Sequence, residues 1–337
     1  MNKIGFCCKW IDNASQVNGI KPTDDCKKYN TGTTTVAWLN RQSKPVAEAK
    51  LWSLIKQNIE STRKLVHKVS ILEEPLRMVR ISSDILPVYT HADYSYWYKQ
   101  PDVISYMIRE FAKIGDIART ANVRLSFHPG QFCCIVSDRP DVVHRSLEEL
   151  EYHADMIRWM GYGKSFQDFK CNIHLSGRLG IDGFNVAWKQ MTPELRNCLT
   201  LENDEYQQNI DELLKLKDKV AIVLDIHHHL ISECQYINAS DDRIKYIIDS
   251  WRGVRPVIHY SQSREEHISK YNNIMPEMVT LLTQTKKAKL RAHCDFYTNL
   301  HINKWALTHI EWADIMAESK GKNLASFKLY EYASKTF

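Results

Sequence analysis

Short apolar runs alternate along the whole chain with longer stretches in which apolar positions recur every three or four residues. The short runs are 3–8 (KIGFCC), 76–82 (LRMVRIS), 123–128 (VRLSFH), 170–176 (KCNIHLS), 199–203 (LTLEN), 220–226 (VAIVLDI), 256–261 (PVIHYS) and 313–318 (ADIMAE). Their length and richness in Val, Ile, Leu and Phe predict eight strands. The longer stretches read as helices. In 103–118 one face carries Val103, Ile104, Met107, Ile108, Phe111 and Ala118. In 141–157 it carries Val142, Val143, Leu147, Leu150, Ala154 and Ile157, and Pro140 stands where a first helical turn tolerates it. Segments 47–66 and 207–216 read similarly.

Eight strands, each followed by a helix or a long connection, predict a parallel α/β architecture. Runs such as VAIVL are apolar on both faces, as strands covered on both sides must be. Count and length fit a TIM (β/α)8 barrel, in a single domain spanning 1–337. An open doubly wound sheet is the alternative, although no GxGxxG follows the first strand. Residues 264–311 form a long connection before the last strand and are expected to carry extra helices.

No apolar run reaches the roughly 18 residues that span a bilayer, and MNKIGFCCKW lacks a signal-peptide layout. An intracellular protein with no membrane partner is expected, cytoplasmic in a prokaryote or virus and nuclear in a eukaryote. The nine cysteines include the adjacent pairs Cys7–Cys8 and Cys133–Cys134 and no CxxC, which predicts reduced, buried thiols. A net charge of +5 permits a polyanionic partner without requiring one. The densest basic stretch, KKAKLRAH at 286–293, fits either a solvated face or a polyanion contact.

What stands at the strand ends changes the picture. Strand three ends in His128, strand four carries His174 and strand five carries Glu202. Strand six gives Asp225 and then His227, His228 and His229, whose side chains are expected to alternate. Strand seven gives His259, strand eight Glu318, and His91 lies in the loop after strand two. Any one of these has an ordinary structural explanation. Together they do not, because a parallel barrel brings all its C-terminal strand ends to one mouth. Carboxylates buried there need cations. Mixed imidazole and carboxylate donors without cysteine suit Mn, Zn or Fe. More than four donors imply more than one ion, an arrangement suited to phosphoryl chemistry. No P-loop pattern suggests ATP.

At this point the chain resembles a known family. GFCCKW, RISSDILPVYTH, RLSFHPGQF, NIHLSG, LENDE, LDIHHH, IHYSQ and MAESKGK together resemble the UV damage endonucleases, DNA repair enzymes related in fold to endonuclease IV. The resemblance implies a TIM barrel with up to three divalent ions, typically manganese, and cleavage of damaged double-stranded DNA by a monomer. The cut falls immediately 5′ of pyrimidine dimers and related lesions and leaves a 3′-hydroxyl and a 5′-phosphate. It further implies Glu202, Asp225, His259 and Glu318 as metal ligands, with Glu202 and Glu318 shared between ions and essential to catalysis. His128 and His174 serve a second ion, and His228 and His293 (in RAHCDF) a third. His91 stands near the scissile phosphate, and Gln131 and Phe132 probe the lesion. Two departures stand out: Phe132 occupies a position that is usually tyrosine, and Val257 one that is a lysine near the metals. Residues 264–289 look like an insertion with no assigned role. A sugar isomerase of similar barrel form, and a barrel that binds DNA without cutting it, are the competing readings.

Overall fold

The computed structural model describes residues 2–271 and 274–336. All eight expected strands are present, each shorter than its apolar run. They are β1 (Ile4–Cys7), β2 (Met78–Arg80), β3 (Arg124–Phe127), β4 (Lys170–His174), β5 (Leu199–Glu202), β6 (Ala221–Val223), β7 (Val257–Tyr260) and β8 (Asp314–Ala317). They form one parallel sheet in the order β6-β5-β4-β3-β2-β1-β8-β7. The ring closes where the His259 amide donates to the Leu224 carbonyl at 3.0 Å and Asp225 bridges to His259. This is a TIM barrel; the open sheet is ruled out.

Strand side chains alternate, so the sheet sorts residues into an outer and an inner set. Outward residues such as Phe6, Val79, Ile258 and Ile315 join the large core beneath the helices. Inward residues Cys7, Met78, Ala221, Val223, Val257 and Met316 form a separate apolar cluster. At the N-terminal end of the barrel, Arg124 and Arg255 clamp Asp314 at 2.7 and 2.9 Å. The same two-residue step carries Ser126 to His128, Asn172 to His174, Thr200 to Glu202 and His259 from Val257. Polar residues therefore reach the C-terminal mouth on several strands at once.

The helical readings hold with longer bounds: Lys44–Ser70, Pro101–Thr120 and Pro140–Trp159. Only Ile210–Leu214 of the 207–216 reading is helical, started by the Asn209 side chain accepting from the Glu212 amide. Strand six stops at Val223, short of the expected 226. Asp225 caps a new helix, Ile226–Glu233, by accepting from the His227 and His228 amides at 2.7 Å each. The three histidines thus fan out at helical steps of about 100° rather than alternating. The long connection carries the helices Glu265–Ile268, Met278–Gln284, Lys287–Leu290 and Leu300–Thr308. All nine cysteines are free thiols. No described helix is long and apolar enough to cross a membrane.

Candidate metal centre

Glu202 sits at the centre of the mouth, 1% exposed. One carboxylate oxygen lies 3.2 Å from His128 Nε2 and 3.8 Å from His174 Nε2. The other lies 2.9 Å from His259 Nδ1 and 3.6 Å from His228 Nδ1. Three donor groups tight enough to hold an ion share it: His128–His174–Glu202, Glu202–Asp225–His228 and Glu202–His259–Glu318. Six of the other seven expected ligands therefore group around the Glu202 carboxylate. The last, His293, reaches the edge of the cluster, with Nδ1 4.0 Å from Glu318 and its ring 6.3 Å from that of His228.

The electrostatics test whether ions fit. Burial works against the Glu202 charge, yet His259, His174 and His128 hold its carboxyl well below the usual range. Glu318 is also held low against burial, chiefly by Arg80, whose Nη1 lies 2.6 Å away. Burial pushes Asp225 well above the usual carboxylate range, with His228 opposing. Burial lowers His228, but Asp225 and Glu202 outweigh it and push it up to about 9. The Asp225–His228 pair therefore retains a proton that a bound dication can replace. The buried oxygen Asp225 Oδ2 and the buried nitrogen His174 Nδ1 find no hydrogen-bond partner among the described residues. An orphaned carboxylate oxygen beside two other carboxylates fits a cation, which would give it a partner. The donor set fits hard-to-intermediate dications held by oxygen and imidazole.

Sequence reasoning missed the groups that hold these donors. Asn172 donates to the Glu202 oxygen shared with the two histidines, and Thr200 in turn donates to Asn172 at 2.7 Å. Asn203 ties the Asp225 backbone in both directions, at 2.8 and 3.0 Å. Lys170 is the larger omission. It comes up from β4 inside the barrel, and its Nζ lies 2.7 Å from His259 Nε2. Burial lowers its amine to about 7. Val257 is buried among apolar side chains, so the interior lysine of this chain stands on β4 rather than on β7. A signal was available: Arg80, Lys170 and Asn172 are polar residues at inward positions of otherwise apolar strands.

Two predicted site elements stand apart from the cluster. His91 contacts none of the eight; its Nδ1 accepts from the Asp93 amide at 3.2 Å. It lines a groove of about 960 Å³ with Tyr89, Lys99, Arg145 and Tyr152. Gln131 and Phe132 are the central residues of a turn closed by the Cys133 amide donating to the Gly130 carbonyl at 3.0 Å. His128 anchors one side, its Nδ1 2.9 Å from the Pro129 carbonyl, and buried Cys133 anchors the other against Ser146. Phe132 is 84% exposed, which rules out the possibility that it packs under a neighbouring helix.

Comparison with known proteins agrees with this arrangement. Residues 5–336 match the family described as UV-endonuclease UvdE. The UV DNA damage endonuclease of Bacillus cereus (strain B4264) is 29% identical over 325 residues, covering 92% of this chain and 90% of that protein. Its counterpart in Bacillus mycoides (strain KBAB4) is 30% identical over 320 residues, covering 90% and 89%. The crystal structure of SacUVDE superposes with a TM-score of 0.73 at 19% identity and covers 99% of both chains, which supports the fold. With a family match over nearly its full length, on a barrel whose mouth gathers these donors, the chain belongs to the UV-endonuclease UvdE family.

Proposed function

We propose that the chain is a metal-dependent endodeoxyribonuclease that works inside the cell as a monomer, through one barrel domain spanning residues 1–337. It hydrolyses the phosphodiester immediately 5′ of pyrimidine dimers and related lesions in double-stranded DNA, leaving a 3′-hydroxyl and a 5′-phosphate, without ATP. The observation that carries this reading is the sharing of Glu202 by three donor groups beside an orphaned Asp225 oxygen. Glu202, Asp225, Glu318, His128, His174, His228, His259 and His293 would hold up to three divalent ions, manganese first among them. Ions so held would supply charge neutralisation for the phosphate and an acidified water.

The chain's own residues do the rest. Arg80 fixes one Glu318 oxygen, leaving the other free to face the mouth. Lys170 sits on the far nitrogen of the His259 ring and sets which way that ring presents its lone pair. His91, on the lip of its groove, would contact the phosphate backbone of a bound duplex. The Gln131–Phe132 turn is held at a fixed offset from His128 and would enter the helix where a lesion weakens stacking. An exposed ring has no use in the closed pocket of a sugar isomerase, so the exposure of Phe132 favours a polymeric substrate.

The test is incubation of UV-irradiated and undamaged supercoiled plasmid with the protein and Mn²⁺. Nicks confined to irradiated plasmid are the expected result. Equal nicking of both plasmids would remove lesion specificity, and no nicking would favour a barrel that only binds.

A further inference from the structure

Between Ser263 and His293 the chain from β7 to β8 makes an excursion, residues 264–292, that contributes none of the proposed metal ligands. Its two ends are zipped together at the mouth. Ser263 pairs antiparallel with His293, the Cys294 amide donates to the Gln262 carbonyl at 2.9 Å, and Ser263 Oγ donates to the Leu290 carbonyl at 2.7 Å. Within the excursion, Met278, Leu281 and Leu290 form a small core of their own with Leu230 and Ile231. Those last two lie on the helix that carries His228. The excursion is therefore fastened to the metal centre from both sides.

Its returning limb, just before the zipped ends, is the basic stretch left open by sequence reading. In the one-turn helix Lys287–Leu290, Leu290 is buried while Lys286, Lys287 and Lys289 face outward. Among the described residues none of the three lysines is in an ion pair; Lys287 donates only to the Ser232 carbonyl, at 3.2 Å. Next to them, Arg291 pairs with Glu205, whose other oxygen lies 3.7 Å from His228 Nε2. Three contacts thus connect the basic turn to Glu202. The Arg291 guanidinium also lies 4.2 Å over the ring of Tyr206, which is 70% exposed. Tyr206 is held out by Asp204, whose Oδ1 accepts from the Tyr206 and Gln207 amides at 2.7 and 2.6 Å.

Exposed lysines outside any ion pair among the described residues, beside an exposed ring at the rim of the candidate metal centre, fit a polyanion better than water alone. We propose that residues 286–291, braced by Tyr206, form a phosphate-binding arm that grips the DNA backbone flanking the cut. This rests on the DNA reading given under Proposed function. Phosphate contacts of this kind fix register and orientation, and they carry no sequence or lesion information. The arm therefore adds affinity for damaged and undamaged duplex alike, while lesion choice is left to the Gln131–Phe132 turn.

The test is the salt dependence of binding. Full-length, Mn²⁺-loaded wild type and a Lys286→Gln/Lys287→Gln/Lys289→Gln variant are titrated against fluorescent undamaged and UV-irradiated duplexes over a range of KCl. Each lost phosphate contact removes about 0.9 from the slope of log K against log [salt], so a slope shallower by about two to three is expected, equal on both duplexes. A control with the same charge loss at the other end of the barrel, Lys215→Gln/Lys217→Gln/Lys219→Gln just ahead of β6, should keep the wild-type slope. An unchanged slope in the first variant, or an equal change in both variants, overturns the arm. The cleavage reading fails separately: salt-sensitive binding that needs the arm, without lesion-dependent nicking, would leave the arm and remove the nuclease.

Discussion

Glu202 and Lys170 face the same imidazole from opposite sides, and their roles separate by substitution. Glu202→Gln keeps the shape but leaves one anionic acceptor oxygen fewer at the point where three donor groups meet. Cleavage of irradiated DNA should fall by about 100-fold or more while the damaged duplex still binds, and Glu318→Gln should behave alike. Full activity of Glu202→Gln in Mn²⁺ would remove the shared-carboxylate mechanism. Lys170 acts through His259. A ligating ring that offers Nδ1 carries its proton on Nε2, where a neutral Lys170 amine can accept it. Lys170→Met should weaken metal binding by about 10- to 100-fold, read by calorimetric titration of Mn²⁺. Val257→Lys, which inserts an amine among buried apolar groups, should not be needed for cleavage. An inactive wild type rescued by Val257→Lys would show that this chain has lost its chemistry.

At the scale of the element, the turn after β3 is where structure sharpened a sequence expectation. Nothing lies within 4 Å of a Cβ built at Gly130, so crowding is not why that position is glycine. The turn is held by its flanks, His128 and Cys133. Phe132→Tyr should keep cleavage, since stacking uses the ring. Gln131→Ala/Phe132→Ala should weaken binding to damaged duplex by roughly tenfold or more, base–aromatic stacking being worth about 1–3 kcal/mol per base. Metal content and folding should stay intact. Equal binding by the folded double variant and wild type would remove the wedge. Much of the site was legible because strand residues alternate: once the strands were placed, His128, His174, Glu202 and His259 had to share a mouth. Asp225 and His228 were legible as residues but not as geometry, since the strand ends at Val223 and a helix cap does the positioning. Lys170 and Arg80 were passed over because each looks like a routine charge until the inward face of its strand is known.

For the molecule as a whole, buried histidines away from the metal centre set an acid limit. His153 and His309 are both lowered to about 4 by burial, their ring nitrogens meeting the Glu149 and Ile237 carbonyls at 2.7 and 3.2 Å. Unfolded, each titrates near 6.5, so the unfolded chain binds more protons between the two values. Their contribution is complete above pH ~6.5 and is lost as pH falls toward 4, on the order of 3 kcal/mol each. The urea midpoint should drop between pH 7.5 and pH 5, and the drop should be shallower in His309→Gln; an equal pH dependence in that variant would contradict the assignment. The same whole-molecule order places every proposed ligand at one end of the barrel, so the central claim reduces to cleavage that depends on both metal and lesion. The most direct measurement uses an end-labelled duplex with a single pyrimidine dimer, cut by protein stripped of metal and then given back Mn²⁺. The account predicts no product from stripped protein and, on Mn²⁺ addition, one cut immediately 5′ of the dimer ending in a 3′-hydroxyl that a polymerase extends. Cleavage that persists in excess chelator, or Mn²⁺-dependent cuts scattered along the undamaged strand, would contradict it.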